Sequence, residues 1–275
     1  MQALKFSKLT LLAVCLTSVL AACGVLPEKV DETQSWSTSK LYAEAQSSMA
    51  YRDYSKAAKY NAMLVGRDPF GKFAEQAQIN TAYAHYKDND TDQAMADVDR
   101  FIRLHPSSPI IDYAYYLKGL ITFDDNLGLF GRFSGQDLSE RDPKALEQSY
   151  ETFKYLVEHY PNSQYAKDAA ERMRYALNAM AKHEVLVAKY YYDRGAYLAA
   201  ANRAQDAIKK FNRAPAVEDA LWIMVESYKK LHLTKLSDDA RRVLAATYPK
   251  SDYLTYGYKR SKRSHWWQFW GGTNS

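Results

Sequence analysis

His105-Pro106-Ser107-Ser108, Tyr160-Pro161-Asn162-Ser163 and Tyr248-Pro249-Lys250-Ser251 are one phrase written three times. Arg67-Asp68-Pro69 and Ala214-Pro215 are weaker copies, and the five prolines stand 37, 55, 54 and 34 residues apart. Two of these intervals approach the length of one helix–turn–helix repeat, and the other two exceed it by roughly 20 residues. A proline cannot continue the helix before it, so each one fixes the exit from a unit. The serine two places later offers an oxygen to cap the next helix by accepting its orphan amide hydrogens. Ser108 before Pro109 and Asp142 before Pro143 set a capping oxygen ahead of proline at the first helical position.

Between the prolines the apolar residues recur with helical spacing. Ile79, Tyr83 and Tyr86 make one face, and Ala94, Val98, Phe101 and Ile102 make the next. Second helices of other units show Ala57, Leu64 and Val65, then Leu146, Tyr150, Phe153 and Leu156, then Ala240, Val243, Leu244 and Thr247. Small residues (Ala45, Ala57, Ala82, Ala94, Gly119, Ala200) stand where a paired helix must approach closely. Nothing between residues 40 and 255 alternates as a strand. The pattern predicts an all-α fold, an α-solenoid of about five tetratricopeptide-like helical hairpins.

The two long intervals divide the chain. An insertion at 124–141, with three glycines and Leu129, Phe130 and Phe133, interrupts the third unit. Long loops without structure of their own usually have a role; here it is either a binding loop or a loop tucked onto its own scaffold. Gln164 to Arg194 holds neither glycine nor proline, and as one helix it would extend roughly 45 Å. The expected divisions are repeats one to three in 39–163 and the long helix with repeats four and five in 164–255.

Residues 1–22 read as an export signal. Lys5 and Lys8 precede the apolar stretch Leu9–Leu20, which is too short to span a bilayer. Leu20-Ala21-Ala22-Cys23 then follows the lipobox pattern, in which the cysteine thiol takes a diacylglycerol and becomes the first mature residue. Gly24, rather than aspartate, lacks the signal for retention at the inner membrane. Cys23 is therefore the expected lipidation site, 23–38 a flexible tether, and the expected location the periplasmic face of the outer membrane.

Composition narrows the function. The chain has 37 basic and 32 acidic residues, and without Lys5 and Lys8 the surplus is too slight to argue for nucleic acid. Cys15 and Cys23 both belong to the export segment, so the mature domain has no disulfide and relies on packing. No catalytic site emerges. His183-Glu184 begins a zinc motif, but Val187 stands where the second histidine is needed. Asp88-Asn89-Asp90-Thr91-Asp92 opens like a calcium loop, yet Gln93 replaces the turn glycine, so these residues read as helix caps. No metal, cofactor or catalytic residue is expected, and the protein reads as a non-enzyme.

Two features suit binding. The chain has 23 tyrosines, and neighbours such as Tyr113, Tyr115 and Tyr116, or Tyr190, Tyr191 and Tyr192, cannot all face the core. Most are packing residues, but some must reach the surface or a groove, where a ring with a polar tip suits peptides. At 256–275 lies a tail in which Lys259, Arg260, Lys262 and Arg263 precede Trp266, Trp267, Phe269 and Trp270. It suits an anionic membrane surface or a membrane-embedded partner; the bland alternatives are disorder or packing on the last repeat.

Taken together, Tyr160-Pro-Asn-Ser-Gln-Tyr165, Arg141-Asp142-Pro143 and Tyr190-Tyr-Tyr-Asp-Arg-Gly-Ala-Tyr197 with Asn202-Arg203 resemble the BamD family of lipoproteins. That resemblance implies a scaffold of the outer-membrane β-barrel assembly machinery. It implies that the amino-terminal repeats receive carboxy-terminal targeting segments of unfolded outer-membrane proteins, which end in an aromatic residue. In this chain Tyr83, Tyr86, Tyr113 and Tyr116 would line that groove, with Phe130 and Phe133 making loop contacts. It implies that the carboxy-terminal repeats dock a BamA-like barrel subunit, here through Tyr190, Arg194 and Arg203, and that a BamC-like accessory lipoprotein binds along the surface. The tail is not part of the family's pattern. A repeat lipoprotein scaffolding peptidoglycan hydrolases or synthases is the alternative, because the same groove could serve other partners.

Overall fold

The computed structural model describes residues 32–125 and 143–257, and among them there is no strand. Eleven α-helices follow a short 3₁₀ turn at Glu32–Ser35. They pair as α1 (Thr38–Ala50) with α2 (Tyr54–Arg67), α3 (Ala74–Lys87) with α4 (Thr91–Leu104), and α5 (Ile111–Asp125) with α6 (Pro143–His159). Then α7 (Ala166–Asp193) pairs with α8 (Tyr197–Lys210) and α9 (Val217–Lys230) with α10 (Thr234–Thr247), and α11 (Asp252–Tyr256) ends the described chain. Successive helices pack from α1 to α10, and contacts of α3 with α5 and α7 with α9 put first helices of neighbouring hairpins on one face. The five hairpins make the solenoid that the proline spacing predicts.

The periodic residues are the core. Ile79, Val98, Phe101, Phe153, Leu156 and Leu244 are all fully buried. In the four hairpins whose reversal lies among the described residues, it takes one form. Arg52, Asn89, Gly195 and His232 each adopt positive φ, and the next residue's amide bonds back five residues, as Asp53 N does to Ser48 O and Leu233 N to Tyr228 O. This left-handed closure satisfies the last carbonyls of each first helix. Asp53 and Asp90 then cap the second helices, accepting from Lys56 N and Gln93 N at 3.2 Å, so the acidic run at 88–92 serves as a cap.

Between hairpins the serines do something different from the expected capping. Ser108, Ser163 and Ser251 each donate their hydroxyl to a carboxylate in the first turn of their own hairpin's first helix: Glu75 at 2.8 Å, Asp112 at 2.7 Å and Glu218 at 2.7 Å. Their oxygens accept only from the amide two residues on, Ile110 N at 3.4 Å and Tyr165 N at 3.1 Å, just ahead of α5 and α7. Ser251 makes no side-chain cap at all. The hydroxyl proton is drawn to the charged acceptor, the stronger of the bonds on offer. The fourth hairpin departs at both ends at once, with Lys167 where the acid belongs and buried Ala214 where the serine belongs. Pro109 also falls in the turn rather than opening α5, whereas Pro143 does open α6. Since Glu218 is only 8% exposed, Ser251→Ala is expected to cost about 1–3 kcal/mol in urea unfolding. The exposed cap variant Ser37→Ala should cost about half as much.

Two boundaries move. Helix α5 runs on through Asp124 and Asp125, which the sequence reading gave to the insertion. The tether stops being free before residue 38. Trp36 packs on Tyr60 with ring centroids 5.5 Å apart, and the Arg67 guanidinium donates to Thr33 O at 2.6 Å and Trp36 O at 2.7 Å. No helix among the described residues is long and apolar enough to cross a membrane.

Candidate functional site

The face shared by first helices carries a row of tyrosines. Tyr83 stands on α3, Tyr113 and Tyr116 on α5, and Tyr165 immediately before α7. Tyr165 stacks on Tyr116 with centroids 4.7 Å apart and tilts against Tyr113 at 5.3 Å. Burial pushes the Tyr113 hydroxyl far above its ordinary range, and the nearby Tyr83, Tyr165 and Tyr116 push it further. Burial and the neighbouring Tyr54 likewise raise Tyr83. Tyr86 joins the row through Tyr83, at 6.3 Å. All four predicted groove residues thus belong to one aromatic surface, half-buried and partly open.

One end of the row is fixed by charge. The Tyr116 hydroxyl donates to Asp168 Oδ2 at 2.6 Å, and Arg172 Nε donates to the same oxygen at 2.6 Å. Burial, then the bond to Asp168, takes Tyr116 up to about 12, so it remains a donor at physiological pH. Burial pushes the Asp168 carboxyl up, but the Tyr116 and Arg172 hydrogen bonds outweigh it and the net displacement is downward. A lowered folded value means stability present above the unfolded value and lost as pH falls through the folded one. Asp168→Asn is therefore expected to flatten the acid limb of a stability-versus-pH curve below the ordinary carboxylate range, with little change of slope at neutral pH.

The tyrosine clusters split as their spacing requires. Tyr115, between Ala114 and Tyr116, turns to Tyr155 at 4.5 Å and Tyr160 at 5.9 Å. Tyr191 and Tyr192 pack against the core of the last hairpins, while Tyr190 is 56% exposed. The Arg194 guanidinium lies 5.3 Å from the Tyr190 ring centre. Arg203 is apart from them, on α8, with Nη1 3.5 Å from Glu184 Oε2; Lys210 reaches the same carboxylate at 4.0 Å. Glu184 precedes Arg194 by ten residues, about 15 Å along α7, so the two arginines stand at separate points of the surface.

Sequence reasoning passed over Tyr165, Asp168 and Arg172. The signal was present, since Tyr165 ends the motif Tyr160-Pro-Asn-Ser-Gln-Tyr165 and Asp168 and Arg172 are four apart on a helix, the spacing of an ion pair. Cys23, Phe130, Phe133, Lys259, Arg260, Lys262, Arg263, Trp266, Trp267 and Trp270 lie outside the described residues. Among the described residues no group of three histidines, cysteines or acids is placed to hold a metal ion.

The family YfiO, described as outer membrane lipoprotein, matches residues 34–244. An outer membrane protein assembly factor BamD of Neisseria meningitidis serogroup B is 44% identical over 266 residues, covering 96% of this chain and 99% of the relative. The factor of the same name from Xylella fastidiosa (strain Temecula1) is 35% identical, covering 90% and 85%. That of Haemophilus influenzae is 32% identical, covering 90% and 92%.

Proposed function

Because the chain belongs to this family of outer membrane lipoproteins and acts in outer membrane protein assembly, we propose that it is the assembly complex's non-catalytic scaffold. A lipid on Cys23 holds it to the periplasmic face of the outer membrane. Its first three hairpins receive the carboxy-terminal segments of unfolded outer-membrane proteins. Its last two dock the barrel-forming subunit through Tyr190, Arg194 and Arg203, leaving outer surface for a BamC-like accessory lipoprotein.

The observation that carries the substrate half is the tyrosine row. Tyr113 and Tyr116 of α5 meet Tyr165 at the start of α7 in one ring cluster, and Tyr83 of α3 stands close enough to raise the Tyr113 hydroxyl. An extended peptide ending in an aromatic residue finds there apolar contact and hydrogen-bond partners together. The barrel half rests on an exposed tyrosine–arginine pair and on Arg203, which shares its only ion pair in the described chain with Lys210.

A fluorescent peptide copying the last residues of an outer-membrane barrel protein tests the groove on the full mature chain. Tyr113→Ala is expected to weaken binding about tenfold, as loss of a central aromatic contact does. Tyr155→Ala, whose ring meets Tyr115 and Tyr160 and none of the row, should leave it unchanged. Equal affinity of the Tyr113→Ala and unsubstituted proteins, with unaltered circular dichroism, would rule out the groove.

A further inference from the structure

The end of α7, α9 and α11 enclose a recess of about 470 Å³, within the ~300–1,000 Å³ span of ligand sites. Its wall includes Tyr192, Trp222, Glu226 and Gly257, together with the Lys189–Asp193 ion pair at 3.0 Å and exposed Lys229, which makes no ion pair with Glu226 among the described residues. Trp222 is 8% exposed and stacked on Tyr253 at 5.4 Å. Its indole Nε1 nevertheless has no hydrogen-bond partner among the described residues, which is unusual for a buried tryptophan. Glu226 is half-buried beside Tyr192. The recess thus asks for an apolar group, a carbonyl acceptor and a cation.

The chain leaves the described structure at this spot. Gly257 has φ 63° and ψ −176°, a turn that ends α11. A side-chain carbon there would lie 3.9 Å from Trp222 Cζ2, two bonds from the unpaired Nε1. Lys259 and Arg260 come two and three residues later, within about 11 Å of Gly257 even if extended. Trp266, Trp267 and Trp270 follow.

We propose that this recess seats the chain's own carboxy-terminal tail, with Lys259 or Arg260 on Glu226 and a tail tryptophan beside Trp222. A segment tethered at the wall of its site works at millimolar effective concentration, so modest contacts suffice. The inference stands apart from the assembly reading and uses none of Tyr190, Arg194 or Arg203.

The test uses the full mature chain with a benzophenone amino acid in place of exposed Lys229, which faces the recess from α9. Irradiation is expected to give a crosslink within one chain to residues 266–270, mapped by mass spectrometry. Glu226→Lys should abolish it without altering thermal unfolding. Adding Lys259→Glu and Arg260→Glu to that variant should restore it. Trp222→Phe, which keeps a ring and removes the N–H, should reduce the yield. Crosslinks only between two copies, none to the tail, or tail crosslinks lost to added phosphatidylglycerol vesicles would each overturn the proposal.

Discussion

Arg203→Glu is expected to weaken binding to the periplasmic domains of the barrel-forming subunit at least about 30-fold, while this chain's own unfolding midpoint scarcely moves. The two effects separate because of where Arg203 stands. Its side chain is 46% exposed and its contact with Glu184 is long, at 3.5 Å. Exposed pairs of that kind are worth about 0–1 kcal/mol to a fold, and Lys210 remains to hold Glu184. At an interface, a charge pair is desolvated by the partner. Removing one member then strands the other, at a cost of about 2–5 kcal/mol, and 2 kcal/mol already corresponds to about 30-fold. Arg203→Lys should fall between, since lysine keeps the charge and loses the planar fork. Arg194→Glu should add nearly its full effect, because sites farther apart than about 10 Å behave independently. Calorimetric titration reads the unsubstituted protein, the three single variants and the Arg194→Glu/Arg203→Glu double, and an unchanged affinity for Arg203→Glu would sink the docking assignment.

Much of this molecule is visible in its sequence, for a definite reason. Helical spacing states which residues of one helix share a face, so Val98, Phe101, Phe153 and Leu244 declare themselves as core. Proline states where a helix stops, so five hairpins can be counted. What spacing does not state is which neighbour a face meets. Ser108, Ser163 and Ser251 look like caps because capping is a local act; their carboxylate partners lie 33, 51 and 33 residues away. The bond from Tyr116 to Asp168 spans 52 residues and needs the offset between α5 and α7 to exist. The same limit explains the tyrosines. Their spacing shows that Tyr113, Tyr115 and Tyr116 must diverge, but only the packing of α6 and α7 decides that Tyr115 takes the back and Tyr116 the groove. The same limit covers Thr33 and Trp36, whose carbonyls Arg67 holds from the far end of α2, a contact no local spacing states.

The tyrosine row in turn depends on one missing side chain. Gly119 lies in the middle of α5, and a Cβ there would sit 2.4 Å from Cε1 and 2.6 Å from Cδ1 of Phe153. Phe153 is wholly buried and has ring neighbours in Tyr116 at 6.2 Å and Phe123 at 6.3 Å, so its ring has nowhere to retreat. Gly→Ala inside a helix ordinarily stabilises, by about 1 kcal/mol. At Gly119 the clash outweighs that gain, and Gly119→Ala is expected to destabilise by about 1–2 kcal/mol net of it. Gly66 in α2 has nothing within 4 Å of the same virtual carbon, and Gly66→Ala should stabilise by about 0.4–1 kcal/mol. The opposite signs of two identical substitutions, read by urea unfolding, isolate the packing effect from propensity. Phe153→Ala should cost about 3–5 kcal/mol by opening a cavity. Because the ring that the new methyl strikes is then gone, Gly119→Ala in that background should turn neutral or stabilising, a plain failure of additivity. Loss of Phe153 also removes the support behind Tyr116, so its folded fraction should bind the barrel-terminus peptide more weakly. If Gly119→Ala behaves like Gly66→Ala, the α5–α6 contact is looser than these distances require, and the rigidity of the tyrosine row has to come from Tyr165 and Asp168 instead.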